Sequence, residues 1–170
     1  MAIPKSVRAT VARQQGVRYA GTVRIGLLPR LKEALASEGE PLQVTCEVVE
    51  DEAHPAELRV DAKGQLAVTC QRCMKRFDWP LELHSRLRLV GSEAEEARVL
   101  ADCDPYRVQD DQLPLHEIVE DEVLLALPMM PRCEACENEL QDAPEAAPRE
   151  AEPAAPNNPF AQLKKKLKSD

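Results

Sequence analysis

The sequence predicts an α+β protein: a twisted antiparallel sheet carrying two helices. Three observations lead there. Apolar and polar residues alternate in several runs up to Val90, the period of strands with one buried face. One later stretch, residues 111–127, repeats its apolar residues at helical spacing instead. Two CxxC pairs, Cys70-Gln-Arg-Cys73 and Cys133-Glu-Ala-Cys136, bracket that helix and mark turns on either side of it.

The elements follow in order. Val17, Tyr19, Gly21, Val23 and Ile25 alternate as a strand. Leu27, Leu28, Leu31 and Leu35 fall at helical spacing, with Pro29 suited to a first turn and Gly39 beyond the end. Leu42 to Val48, Leu58 to Val60 and Leu66 to Val68 read as three strands of a meander, divided by turn signals at Glu52 to Pro55 and at Lys63-Gly64. Phe77 to Val90 is a long strand, and Pro80 places it at an edge or a bulge. Arg98 to Leu100 and Tyr106 to Val108 read as a further hairpin around Cys103 and Pro105.

Residues 111–127 form the clearest helix, with Asp111 as N-cap, Pro114 in the first turn and Pro128 as the stop. Leu115, Ile118, Val119, Val123, Leu125 and Ala126 fall on one face, and Glu117, Glu120 and Asp121 on the other. Glu122 projects from the apolar stripe, so its carboxylate needs a cation, for which Arg72 and Arg76 are the candidates, or else a wet edge of the stripe.

Cys70, Cys73, Cys133 and Cys136 form the candidate metal site. Two thiols three positions apart on a turn point at one soft cation, and four thiolates complete the tetrahedral shell of Zn²⁺. A structural, zinc-ribbon-like clasp of four cysteines is therefore the expectation, with zinc as cofactor. A redox CxxC, two pairs with separate roles, and plain small residues at turns compete with it. Cys46 and Cys103 read as small residues in strands. His54, His84 and His116 stand outside any ligand spacing, which disfavours a metal-dependent hydrolase.

Charge is unevenly spread. The net charge is −8, yet residues 1–32 hold Lys5, Arg8, Arg13, Arg18, Arg24, Arg30 and Lys32 and no acid. The expected organisation is a single α+β domain over 1–140 with a basic N-terminal arm, a disordered Pro/Ala/Glu linker over 141–157, and a lysine-rich docking peptide over 158–170. In that peptide Asn158 can cap, Pro159 suits a first helical position, and Phe160 and Leu163 line a stripe beside Lys164, Lys165 and Lys166. The basic ends suit contact with a polyanion, or intramolecular pairing with the acidic body. No apolar run approaches the ~20 residues that span a bilayer, so a cytoplasmic protein without membrane contact is expected. Aromatics are few (Tyr19, Phe77, Trp79, Tyr106 and Phe160), which disfavours a base-stacking platform.

Three stretches in this order resemble one family: Cys70-Gln-Arg-Cys73, the helix from Ile118 to Pro128, and Asn158-Pro159-Phe160-Ala161-Gln162-Leu163-Lys164. Together they are similar to the YceD family, the large ribosomal RNA subunit accumulation proteins of bacteria. The resemblance implies a non-enzymatic ribosome-biogenesis factor that supports synthesis, processing or stability of large-subunit (23S) ribosomal RNA. It implies ribosomal RNA or a ribosome-assembly protein as partner, and it carries over no catalytic residue. Cys70 and Cys73 match the family motif, whereas Cys133 and Cys136 depart from it, so the four-thiol clasp rests on spacing alone. The competing function is a thiol-disulfide oxidoreductase using Cys70 and Cys73, which would want the motif at a helix N-terminus instead of between two strands.

Overall fold

The computed structural model describes residues 2–50 and 55–136. By contacts the chain divides into two units, Met1–Cys133 and Glu134–Asp170, and all elements named below belong to the first. The docking peptide and linker expected beyond residue 140 lie outside the described residues.

The fold is α+β. Strand β1 (Val7–Arg8) leads into helix α1 (Ala9–Gln15) and strand β2 (Arg18–Val23). A 3-10 turn at Ile25–Leu27 and helix α2 (Pro29–Ala34) precede strands β3 (Leu42–Val49), β4 (Glu57–Thr69) and β5 (Arg76–Val90). Helix α3 (Glu93–Val99), strands β6 (Asp104–Arg107) and β7 (Gln112–Leu113), and helix α4 (Leu115–Ala126) complete the unit. The five-stranded sheet runs β2-β3-β4-β5-β6. Its first four strands are antiparallel, while β6 joins β5 in parallel. The sheet is thus mixed, and the described residues hold more helices than the two expected.

Alternation places one sheet face in the core. Leu42, Val44, Cys46 and Val48 of β3 and Leu58, Val60, Ala62 and Leu66 of β4 are buried, together with Ala12 of α1, Leu31 of α2 and Leu115, Ile118, Val119 and Val123 of α4. Each large apolar side chain among them contributes ~1.5–3 kcal/mol when fully removed from water. Tyr19, Phe77, Trp79 and Tyr106 pack against the same cluster, so the described aromatics serve the core.

Three local expectations are corrected. Lys63-Gly64 is no turn: β4 runs unbroken for 13 residues, with Gly64 opposite Leu81. Gly64 is required for space, because a Cβ there would stand 2.6 Å from Leu42 Cδ2. Arg98 to Leu100 is not a hairpin arm but the end of α3, which carries the chain over to the parallel β6. Ser92 caps that helix by accepting from the Glu95 N–H at 3.2 Å, while Glu95 reaches back to the Gly91 N–H at 2.9 Å. Finally, the main helix begins at Leu115 and not at Asp111, since Asp110 and Asp111 adopt left-handed φ of 49° and 56° and Gln112–Leu113 pair with β1.

Asp111 caps a different helix. Its Oδ1 accepts the Thr10 N–H at 2.8 Å, its Oδ2 accepts Thr10 Oγ1 at 2.8 Å and Arg8 Nε at 3.0 Å, and its carbonyl accepts the Ala9 N–H at 2.9 Å. These groups start α1, whose own N-cap residue, Arg8, makes no side-chain capping bond to the helix N–H groups. The Thr10 N–H above all, together with Thr10 Oγ1 and the Arg8 guanidinium, holds the Asp111 carboxyl below its ordinary value.

The basic N-terminal residues are folded into the body. Arg8, Arg13, Arg30 and Lys32 pair with Asp111, Glu50, Glu120 and Glu38 respectively. The intramolecular alternative therefore describes four of the seven cations.

Candidate metal centre

The first thiol pair sits in the hairpin that joins β4 to β5. Thr69 and Arg76 are the last paired residues, and Cys70 to Lys75 close the loop. The Cys70 N–H donates to the Lys75 carbonyl and the Met74 N–H to the Cys70 carbonyl, both at 2.9 Å. Met74 takes a left-handed φ of 59°, which lets the chain reverse just after Cys73. The second pair follows α4: Pro128 prevents its continuation, and the Pro131 carbonyl accepts the Gln71 N–H at 2.9 Å. That bond pins the approach to Cys133 against the hairpin loop.

The geometry is that of a shared ion site. Cys73 Sγ lies 3.8 Å from Cys133 Sγ, and the Cys133 N–H points at Cys70 Sγ at 3.5 Å. The sulfurs of Cys70, Cys73, Cys133 and Cys136 all lie within 4.8 Å of one another. A tetrahedron with metal–sulfur bonds of ~2.3 Å has sulfur–sulfur edges of about 3.8 Å, so the spacing fits one soft metal ion. It does not fit a disulfide, and all six cysteines are free thiols.

The electrostatics favour a thiolate at Cys70. Backbone N–H groups of Cys73 and Cys133 aim at Cys70 Sγ and, with that of Arg72 and the Cys73 side chain, outweigh desolvation; they bring the Cys70 thiol down from 9.0 to about 6. Cys70 and Cys136 are buried, whereas Cys73 is exposed. Cys46 behaves oppositely: burial, with Asp61 adding, pushes its thiol up to about 12, as suits an inert core residue. Cys103 donates its thiol to the Val99 carbonyl at 3.5 Å at the end of α3.

Among the other residues singled out from sequence, Arg72 stands exposed in the hairpin loop and Glu122 is half-buried on α4. The carboxylate that α4 does bury is Glu120, assigned from the sequence to the polar face. It lies at the border of the apolar stripe, where α2 supplies donors, while Leu125, assigned to the apolar face, is 80% exposed. Arg76 pairs with Asp78 at 3.6 Å. His84 bonds Asp61 at 2.6 Å and His116 approaches the Ile3 carbonyl at 3.3 Å, so neither takes part in the thiol cluster. Asn158, Pro159, Phe160, Leu163, Lys164, Lys165 and Lys166 lie outside the described residues. Sequence reasoning missed the Pro131 carbonyl and the Arg30–Glu120 contact, both of which depend on residues far apart in the chain.

An α+β protein with a cluster of four thiols able to hold one metal ion is the class that fold and site define. A family model described as large ribosomal RNA subunit accumulation protein YceD matches residues 58–168, from the start of β4 onward and including both thiol pairs. The chain belongs to that family. It is also 28% identical over 82 residues to the "Uncharacterized protein YlbN" of Bacillus subtilis (strain 168), a match covering 48% of this chain and 45% of that protein. The chain thus matches less than half the length of this curated relative. No solved structure matches. No helix among the described residues is long and apolar enough to cross a membrane.

Proposed function

We propose that this chain is a non-enzymatic ribosome-biogenesis factor of the bacterial cytoplasm that supports the synthesis, processing or stability of large-subunit (23S) ribosomal RNA. The observation that carries this reading is membership of the YceD family over a stretch that includes the whole thiol cluster. Zinc held by Cys70, Cys73, Cys133 and Cys136 is structural in this reading. Four thiolates fill a tetrahedral shell and leave no position at which a water or substrate could be activated. The ion then ties the β4–β5 hairpin to the segment after α4, and Lys164, Lys165 and Lys166 with Asn158, Pro159, Phe160 and Leu163 form a docking peptide for ribosomal RNA or an assembly protein. The test is deletion of the gene and rescue with the full chain. The ratio of large- to small-subunit RNA should fall on deletion and return on rescue; an unchanged ratio overturns the proposal.

One observation speaks for the oxidoreductase alternative: Cys70 is activated as a thiolate beside an exposed Cys73. Against it, Cys70 is fully buried, the motif lies in a hairpin loop with no helix N-terminus, and two further sulfurs share the site. Alkylation with and without a chelator separates the two. Thiols protected until metal is removed support the clasp, and a thiol reactive throughout supports redox chemistry.

A further inference from the structure

The sheet has a second face, opposite the one packed against α1, α2 and α4 and covered by α3 only at its β5–β6 end, where Glu96 meets Arg107, and its charges are arranged in rows. Register places Arg18, Glu47, Arg59 and Arg86 side by side across β2 to β5, and Glu57 beside Arg88 in the next row. Their neighbours in sequence, among them Tyr19, Val60 and Leu87, turn into the core. With strands ~4.8 Å apart, the four-residue row is about 14 Å long.

These two rows hold four arginines against two glutamates, an excess of positive charge in a chain of net charge −8. Elsewhere Arg8, Arg13, Arg30, Lys32, Lys63, Arg76 and Arg107 each meet a carboxylate. Among the described residues of these rows only Arg59 does, through Glu57 at 3.3 Å. Arg88 keeps a buried Nε with no acceptor among the described residues.

Beside the rows lies a shallow depression of about 500 Å³, floored by Ala20, Gly21, Thr22 and Thr45 and rimmed by Arg18 and Lys63. The small floor leaves room for a ribose and base beside the arginines. The acid in its lining, Asp61, is bonded to His84, and nearby Glu82 is engaged by Lys63.

We propose that this outer sheet face, with Arg18, Arg59, Arg86 and Arg88, binds the sugar-phosphate backbone of an RNA strand. The proposal rests on the reading of the chain as a ribosomal RNA factor and names the surface through which it touches RNA. The face offers no Phe, Tyr or Trp side chain among the described residues, so recognition is through phosphates and tolerant of sequence.

The test measures binding of a roughly 15-nucleotide single-stranded RNA of mixed sequence to the full chain by fluorescence anisotropy over a series of salt concentrations. Arg18→Gln with Arg86→Gln, both exposed and outside the ion pairs of the described residues, should fold normally by circular dichroism. The pair should weaken binding about tenfold or more at low salt and reduce the steepness of the log–log salt dependence by about 2. Substituting Lys164, Lys165 and Lys166 by Gln should leave that difference between wild type and the arginine variant intact. An unchanged affinity in the arginine variant, or binding lost wholly with the lysines, overturns the sheet-face site, as does wild-type chain that binds no RNA. Failure of the surface is distinguishable from failure of the function, because the subunit-RNA ratio in deletion and rescue strains does not depend on which surface makes contact.

Discussion

Arg30 on α2 grips Glu120 on α4: its Nε and Nη2 each donate to Glu120 Oε2 at 3.1 Å, while the Leu31 N–H donates to Oε1 at 3.1 Å. Glu120 is only 3% exposed, and Leu31 beside it is fully buried. A single carboxylate therefore satisfies an orphan N–H in the first turn of α2 and locks that short helix onto α4. Arg30 also reaches Asp121 at 2.6 Å, keeping its guanidinium half in solvent.

Glu120→Ala should accordingly destabilise the protein by about 1–3 kcal/mol, since it strands the buried Leu31 N–H. Glu120→Gln retains an acceptor and should lose less. Urea unfolding measures both; equal stability for Glu120→Ala and wild type would refute the role given to this contact.

Gly64→Ala should overpack the site occupied by Leu42, whose Cδ2 stands 2.6 Å from the added carbon. Leu42 is fully buried and confined, so a cost of about 1–3 kcal/mol is expected. Combined with Leu42→Val, which vacates part of that space, the loss should be smaller than the sum of the single losses. A strictly additive double-mutant cycle would show that the two side chains do not compete.

Asp111 gives a pH signature. Its folded carboxyl titrates below the ordinary value of 3.8, so its contribution is complete above that value and is lost as pH falls through the lower, folded one. Asp111→Asn keeps a residue that tolerates the left-handed backbone but removes the charge. The thermal midpoint of the variant should lie below wild type at neutral pH, and the gap should close on acidification below about pH 4. A gap that persists or widens in acid would contradict the sign.

The two classes of cysteine should separate. Cys70→Ser should abolish metal retention and lower the thermal midpoint, whereas Cys46→Ala should retain metal and show only the modest cost of a core truncation. Metal content measured after gel filtration checks both. Retention by Cys70→Ser, or loss from Cys46→Ala, would reassign the ligands.

How legible the molecule was from sequence depends on the range of each interaction. The alternation in β2, β3 and β5 and the stripe of α4 are local patterns: the strands lie where the alternation puts them, and Leu115, Ile118, Val119 and Val123 form the buried face of α4, though that helix starts four residues later than expected. Pro80 lies in the part of β5 that pairs with β4 alone, because β6 begins opposite Leu87, in keeping with the edge position read from it. Ser92-Glu93-Ala94-Glu95 carried a readable helix start that alternation around it obscured. Gly64 was misread because a glycine required for close packing and one required for a turn look alike in sequence. Glu120 and Asp111 find their partners about ninety or more residues away, at Arg30 and Thr10, and no local rule reaches that far. The thiol pairs were legible because ligand spacing is itself local, even though their convergence is not.

The account depends most on the four sulfurs sharing one ion, and elemental analysis of the purified full chain tests this directly. The account predicts one zinc per chain, lost together with thiol protection when a strong chelator is added and absent from the Cys70→Ser and Cys133→Ser variants. A chain that folds without zinc and whose four thiols alkylate freely before any chelator is added would contradict it.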